Sequence, residues 1–234
     1  MKNIQRPDVA GASTSSLSDT QKRVMEFLSS FPDSDTPTDP HSVRHRPMIY
    51  LDLELATAAS SKGTWNLSRA RMSVAVTYTE ETGELHFYKV AQLPALIDRL
   101  RSSDIVVGFN ILGFDLQVIQ NHGGKPLPRS VKVLDLMVEV QNSAKRRISL
   151  DALIEANFGH IRPSLPQDEI KWWRQGQQIR VAERCCNDVL WMRRLHQIGA
   201  KRGFVFARDR FGQKPKVPVK WKIADVHKGF PKAA

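Results

Sequence analysis

The chain has 234 residues, 41% hydrophobic and 25% charged, which suits one globular domain of ordinary size with tails and excludes disorder throughout. Its 35 Lys and Arg against 24 Asp and Glu give a net charge of +11, favouring polyanion partners over acidic proteins or neutral metabolites. The only cysteines, Cys185 and Cys186, are adjacent and exclude a disulfide-stapled scaffold, and neither an apolar leader nor a long uncharged apolar run marks a signal peptide or membrane span. The expectation is a soluble intracellular protein, cytoplasmic or nucleoid-associated, with no membrane partner.

Residues 1–47 are rich in Ser, Thr, Asp and Pro and read as a flexible extension with one helix from Leu17 to Phe31, capped by Ser16 or Ser18 and followed by a linker. From Pro47, MIYLDLELA reads as a strand, TWNLSRA as irregular, and RMSVAVTYT as a second strand. EETGE makes a hairpin turn, and LHFYKV returns antiparallel. LPALIDRL is then a short amphipathic helix, SDIVVGF a buried strand, and FDLQVIQN a helix stopped by Gly123, Gly124 and Pro126. Ser149 caps a helix to about Phe158, and a longer helix runs from about Ile179 to Lys201 before Gly203. VFAR, a turn at Gly212 and VPVKW form a basic hairpin; from Lys201 onward ten basic residues face Asp209 and Asp225. That leaves +8 at this end, by charge alone either a nucleic-acid contact or a solubilising tail. The order predicts an α/β domain, three antiparallel strands and then parallel strands flanked by helices, in which a ribonuclease H-like sheet is one possible arrangement.

The carboxylates narrow the choice. In MIYLDLELA, strand alternation puts Ile49, Leu51, Leu53 and Leu55 on one face and Tyr50, Asp52 and Glu54 on the other. Paired like charges held away from water need a cation or a shared proton, whereas on a wet edge strand they need neither. Asn110 and Asp115 follow the buried strand, and a carboxylate at a helix start is also simple capping. On the long helix, Val181, Cys185, Asp188, Met192 and Leu195 share one face, apolar except for Asp188. A buried carboxylate needs a partner, either a metal or Arg184 one turn earlier. Together Asp52, Glu54, Asp115 and Asp188 are hard oxygen donors suited to two Mg²⁺ or Mn²⁺ ions about 3.5 to 4 Å apart.

These residues resemble the motifs of the DEDD exonucleases of the ribonuclease H-like superfamily: DLEL at Asp52 to Leu55, NILGFD at Asn110 to Asp115, and CCNDV at Cys185 to Val189. The chain is more closely similar to the YprB-like ribonuclease H-like domains through VVGFNILGFDLQVI, LDLM, RISLDALIEANFG, WWRQG and GFVFARD, over most of residues 48–222. The resemblance implies a ribonuclease H-like domain over 48–202, a basic C-terminal hairpin and tail over 203–234, and two-metal 3′ to 5′ exonuclease activity on DNA or RNA. It places Asp52, Glu54 and Asp188 around a first ion, Asp52 and Asp115 around a second, Leu55 beside the terminal base, and Asn110 and Phe114 in shaping the site. Such enzymes orient the attacking water with a Tyr four residues or a His five residues before the last Asp; here those positions hold Arg184 and Glu183. Arginine stays protonated and cannot act as a base, although it suits a phosphate.

The expected partners are therefore DNA or RNA 3′ ends, with a helicase or other nucleic-acid-processing protein as a separate chain. The alternative is a catalytically weak or silent subunit that binds nucleic acid or scaffolds a processing complex. Trp172 and Trp173 read as core in preference to base-stacking residues. Lys145, Arg146 and Arg147 read as a solvated turn, Asp135 and Asp151 as helix-start residues, and Cys185 as packing.

Overall fold

β1 (Met48–Thr57) opens with Met48 to Leu51 all buried, as a strand does when layers cover both its faces. In the computed structural model of the chain, which describes residues 47–57, 60–61, 64–65, 67–123, 126–128, 130–160 and 168–222, β1 is the middle of a five-stranded sheet. The helix expected over Leu17 to Phe31 and its linker lie outside the described residues. TWNLSRA, expected to be irregular, opens with β3 (Thr64–Trp65), which pairs with β2 (Ser60–Ser61) just before it, and then makes a 3-10 turn at Leu67–Arg69.

β4 (Arg71–Thr79) runs antiparallel to β1, and β5 (Leu85–Tyr88) antiparallel to β4. α1 (Leu93–Ser102), with Pro94 in its first turn, crosses over to β6 (Ile105–Gly108), which pairs parallel with β1 through Met48 to Tyr50. α2 (Asp115–Asn121) leads to β7 (Lys132–Asp135), parallel to β6. The sheet order is β5-β4-β1-β6-β7, the mixed antiparallel and parallel arrangement expected of a ribonuclease H-like sheet.

β7 and α3 (Leu136–Ala144) had no periodic signature of their own. β7 is four residues long, and its identity comes from the parallel register Gly108 to Asp135. α4 (Leu150–Phe158) starts at Ser149, whose side chain accepts the Ala152 N–H, as expected of an N-cap. α5 (Asp168–Arg174) precedes α6 (Gln178–Arg202), and β8 (Phe204–Phe206) pairs antiparallel with β9 (Lys216–Pro218) in the expected C-terminal hairpin.

Ile49, Leu51, Leu53 and Leu55 join Leu96 and Leu100 of α1 and Val118 and Ile119 of α2 in one core. The other face of β1 and β4 receives α6. Tyr50 shows how that face closes. Its hydroxyl lies 2.7 Å from His196 Nδ1, and His196 Nε2 lies 2.8 Å from the Trp221 carbonyl. A carbonyl only accepts, so Nε2 carries the proton and Nδ1 accepts from Tyr50. Burial, which holds His196 below and Tyr50 well above their ordinary pKa values, keeps both neutral. Trp221, fully buried, approaches α6 where Gly199 has no side chain; a Cβ there would stand 2.2 Å from the indole ring.

Candidate metal and nucleic-acid site

Asp52 and Glu54 leave β1 on the face that meets α6, and Asp188 comes down from α6 toward them. Ligand oxygens of the three carboxylates all lie within 4.8 Å of one another. The helix face that carries Asp188 is as the spacing predicts, with Val181, Cys185, Met192 and Leu195 all 1% exposed or less and Asp188 at 8%. A register shift in β1 between Glu54 and Leu55 breaks the ladder with β4 at the triad. Such bulges re-aim side chains where a strand would otherwise continue its pleat.

The electrostatics follow from this crowding. Burial pushes the Glu54 carboxyl well above the usual carboxylate range, Asp52, Asp188 and Glu169 push it further, and Arg184 opposes them. The pocket therefore takes up positive charge, either a proton or a cation, and three hard oxygens fit a divalent ion of the Mg²⁺ or Mn²⁺ kind. Arg184 is the cation already there: Nε donates to Asp188 Oδ2 at 3.4 Å and a terminal nitrogen lies 3.3 Å from Glu169 Oε1. Arg184, at i, i+4, is one of the two partners the spacing allows Asp188. Glu169 is not one the sequence points to, because in DEIKWW an acidic pair at a helix start reads as dipole compensation. Glu169 is only 6% exposed, on a helix packed against β1 and α6.

Cys185, expected only to pack, is fully buried and also polar in its contacts. Its thiol donates toward the Asp52 carbonyl at 3.3 Å and Asp52 Oδ2 at 3.4 Å. Burial pushes the thiol well above its ordinary pKa, and Asp52, Glu54 and Asp188 add to the effect, so it stays a neutral donor.

Asp115 stands apart from the triad. Its Oδ1 accepts the N–H of Leu53, the residue between Asp52 and Glu54, at 3.1 Å. Burial raises its pKa to about 7; its own N–H pulls the other way, Asp135 adds to the rise and the Leu53 N–H lowers it. Asp135 caps α3 by accepting Met137 and Val138 N–H, as expected of a helix-start residue. It also accepts Asn110 N–H at 2.9 Å and Leu112 N–H at 3.1 Å, tying down the loop before α2. Asn110 there has φ 64, and a Cβ on Gly113 would come within 2.7 Å of its side-chain oxygen.

Asn110 and Phe114 line an open cleft of about 700 Å³ with Ser68, Gln117, Asn121 and Arg147. Arg147, read from sequence as part of a solvated turn, thus borders a cavity. Leu55 packs in the core and is 9% exposed. Trp172 is buried as expected, with the Arg180 guanidinium 4.0 Å over its ring. Among the described residues, no helix is long and apolar enough to cross a membrane.

Comparison with family models and with curated protein sequences finds no match. Among solved structures the chain is similar to the family B DNA polymerase from the hyperthermophilic archaeon Pyrobaculum calidifontis, with a TM-score of 0.52 and 15% identity, over 65% of this chain and 24% of the polymerase chain. At that identity the likeness is one of fold, and the chain corresponds to about a quarter of the polymerase's length. Together with the sheet order it describes a mixed α/β, ribonuclease H-like fold that carries an acidic cluster able to hold metal.

Proposed function

We propose that the chain is a metal-dependent 3′ to 5′ exonuclease of the DEDD kind acting on DNA or RNA ends. The observation that carries this reading is the meeting of Asp52, Glu54 and Asp188 within 4.8 Å on a ribonuclease H-like sheet. The net charge of +11 and the likeness to a DNA polymerase both favour a nucleic-acid substrate.

Asp52, Glu54 and Asp188 would hold the first Mg²⁺ or Mn²⁺, and Asp52 with Asp115 the second. Such a pair supplies Lewis-acid stabilisation of a phosphodiester and lowers the pKa of water. The chain's own residues do the rest. Cys185 would orient Asp52 through its thiol, Asp135 would fix the loop that presents Asn110 and Phe114 to the incoming strand, and Leu55, which packs in the core, would reach the terminal base only by its 9% exposed edge. Arg184 cannot take a proton from water, so its role is that of a cation: released from Asp188, its planar donors suit the scissile phosphate. The domain assignment 48–202 with a basic 203–234 segment belongs to this proposal, as does a separate helicase or other processing partner.

A second reading, a silent subunit that binds nucleic acid or scaffolds a complex, is favoured by one observation: Arg184 already pairs with both Asp188 and Glu169, a cation in the place a metal would take. The test is end-labelled single-stranded DNA and RNA with Mg²⁺ or Mn²⁺, comparing wild type with the Asp52→Ala, Glu54→Ala double variant. Stepwise shortening from the 3′ end, lost in the variant, is the expected result. Intact substrate with wild type in both metals would leave the silent-subunit reading.

A further inference from the structure

The β8–β9 hairpin is more than a basic tail, because its tip is built. Asp209 Oδ1 accepts the Phe211 N–H at 2.8 Å and the Gln213 N–H at 2.9 Å, and Asp209 N–H donates to the Gln213 carbonyl at 2.8 Å. Gly212, at φ 79, makes the reversal that other residues resist. Arg208 reaches from the Gly212 carbonyl to Glu155 of α4, at 3.3 and 2.8 Å. The stem is fastened as well. The Asn157 side chain bonds both the N–H and the carbonyl of Phe206, Arg146 donates to the Arg208 carbonyl at 2.6 Å, and Val205 and Val217 are buried.

What this fixed turn presents is an aromatic ring in water. Phe211 is 73% exposed, the most exposed of the large hydrophobic side chains among the described residues. The Arg210 guanidinium lies over the ring at 4.7 Å, so the opposite face and the edge are what solvent reaches. Arg210 and Lys214 are exposed near it in the chain, exposed Lys216 opens β9 with its ammonium 4.6 Å over the Phe204 ring, and the Asp209 carboxylate is turned inward onto backbone N–H groups. An apolar protein partner would want a wider apolar patch and fewer cations. A flat π-face with a guanidinium on one side and further exposed cations on the same hairpin is complementary to an unpaired nucleobase and its flanking phosphates.

We propose that Phe211, held out by the Asp209 turn, is a stacking platform for a base of single-stranded nucleic acid, with Arg210 and Lys214 on the adjoining phosphates. It rests on the reading that the chain acts on nucleic acid, and it needs neither the carboxylates nor metal.

The test is equilibrium binding of the full chain, in EDTA, to fluorescently labelled single strands of about 15 nucleotides, each beside an abasic strand of equal length. Phe211→Ala is expected to weaken binding of the base-bearing strand roughly tenfold, the loss of one stacked base, and to leave the abasic strand unaffected. Phe211→Trp restores affinity, and melting temperatures stay at the wild-type value because the ring packs against so little. Equal affinity of Phe211→Ala and wild type, or an equal loss on the abasic strand, overturns the platform while leaving nucleic-acid binding intact. No binding by wild type also overturns it. Triad-dependent hydrolysis in Mn²⁺, measured on the same protein, then decides the exonuclease reading separately.

Discussion

Arg184→Gln separates the two readings of the site most directly, because a single guanidinium links Asp188 and Glu169. Both residues are less than a tenth exposed, so removing the cation leaves buried like charges, a loss of about 3 kcal/mol for a broken buried pair. At about 2–4 °C per kcal/mol for a chain of this length, metal-free Arg184→Gln should melt about 6–12 °C below wild type. Metal binding should move the other way. In wild type a divalent ion displaces a charge-assisted hydrogen bond worth about 1.5–3 kcal/mol, so the variant should bind Mn²⁺ roughly 10- to 150-fold more tightly and recover its lost melting temperature when saturated. Calorimetric titration of the full chain with Mn²⁺, beside melting curves with and without the metal, reads both effects. A folded Arg184→Gln that binds Mn²⁺ no more tightly than wild type would refute the competition between arginine and metal.

The triad and the basic segment make their own predictions. Since Asp52, Glu54 and Asp188 repel one another, the Asp52→Ala, Glu54→Ala variant should melt at or above the metal-free wild type, and the upward shift given by millimolar Mn²⁺ should vanish; a retained shift would place the metal elsewhere. Replacing the exposed Lys214, Lys216, Lys220 and Lys222 by Gln should weaken nucleic-acid binding and flatten its salt dependence by up to about four counterions. An unchanged slope of log affinity against log salt would reassign these lysines to protein contacts or solubility.

How much of this was legible follows from which residues carry a periodic signal. Asp52 and Glu54 could be read because a strand alternates, and Asp188 because one stripe of a long helix is apolar but for it. Glu169 could not, since α5 is seven residues long, and an Asp-Glu pair at its start has the same sequence whether it faces water or Arg184. The spacing places Cys185 in the core, where it lies, but its thiol's bond to Asp52 depends on how deep α6 sits on β1. Asp135 reads as a helix start, and it caps α3. Its hold on Asn110 and Leu112 needs the parallel register that sets Gly108 opposite it, and β7 at four residues announces no register. The hairpin was visible as charge and a turn; that Asp209 stiffens it and holds Phe211 out was not.

Asp115 remains the carboxylate whose two roles must be separated. The ladder between β1 and β6 stops at Tyr50, so further along β1 the Leu53 N–H has no strand carbonyl on that side and takes Asp115 Oδ1 instead. Deleting the side chain would therefore orphan a buried N–H along with any metal ligand, and Asp115→Ala would report both losses as one. Asp115→Asn keeps an acceptor oxygen for Leu53 while removing the charge. Its pH behaviour supplies the control. The Asp115 pKa is raised from 3.8 to about 7, so between these values the folded state binds more protons than the unfolded one. The stability Asp115 contributes is full below about pH 4 and falls away as pH rises through 7, by about 4 kcal/mol as an upper bound. Metal-free wild type should lose stability along that limb, and Asp115→Asn, neutral throughout, should show a flatter profile and at pH 8 melt no lower than wild type. If Asp115 also holds the second ion, the same variant should bind one fewer Mn²⁺ by calorimetry and lose hydrolysis while staying folded. Full stoichiometry and full hydrolysis in Asp115→Asn would show that this carboxyl serves Leu53 alone.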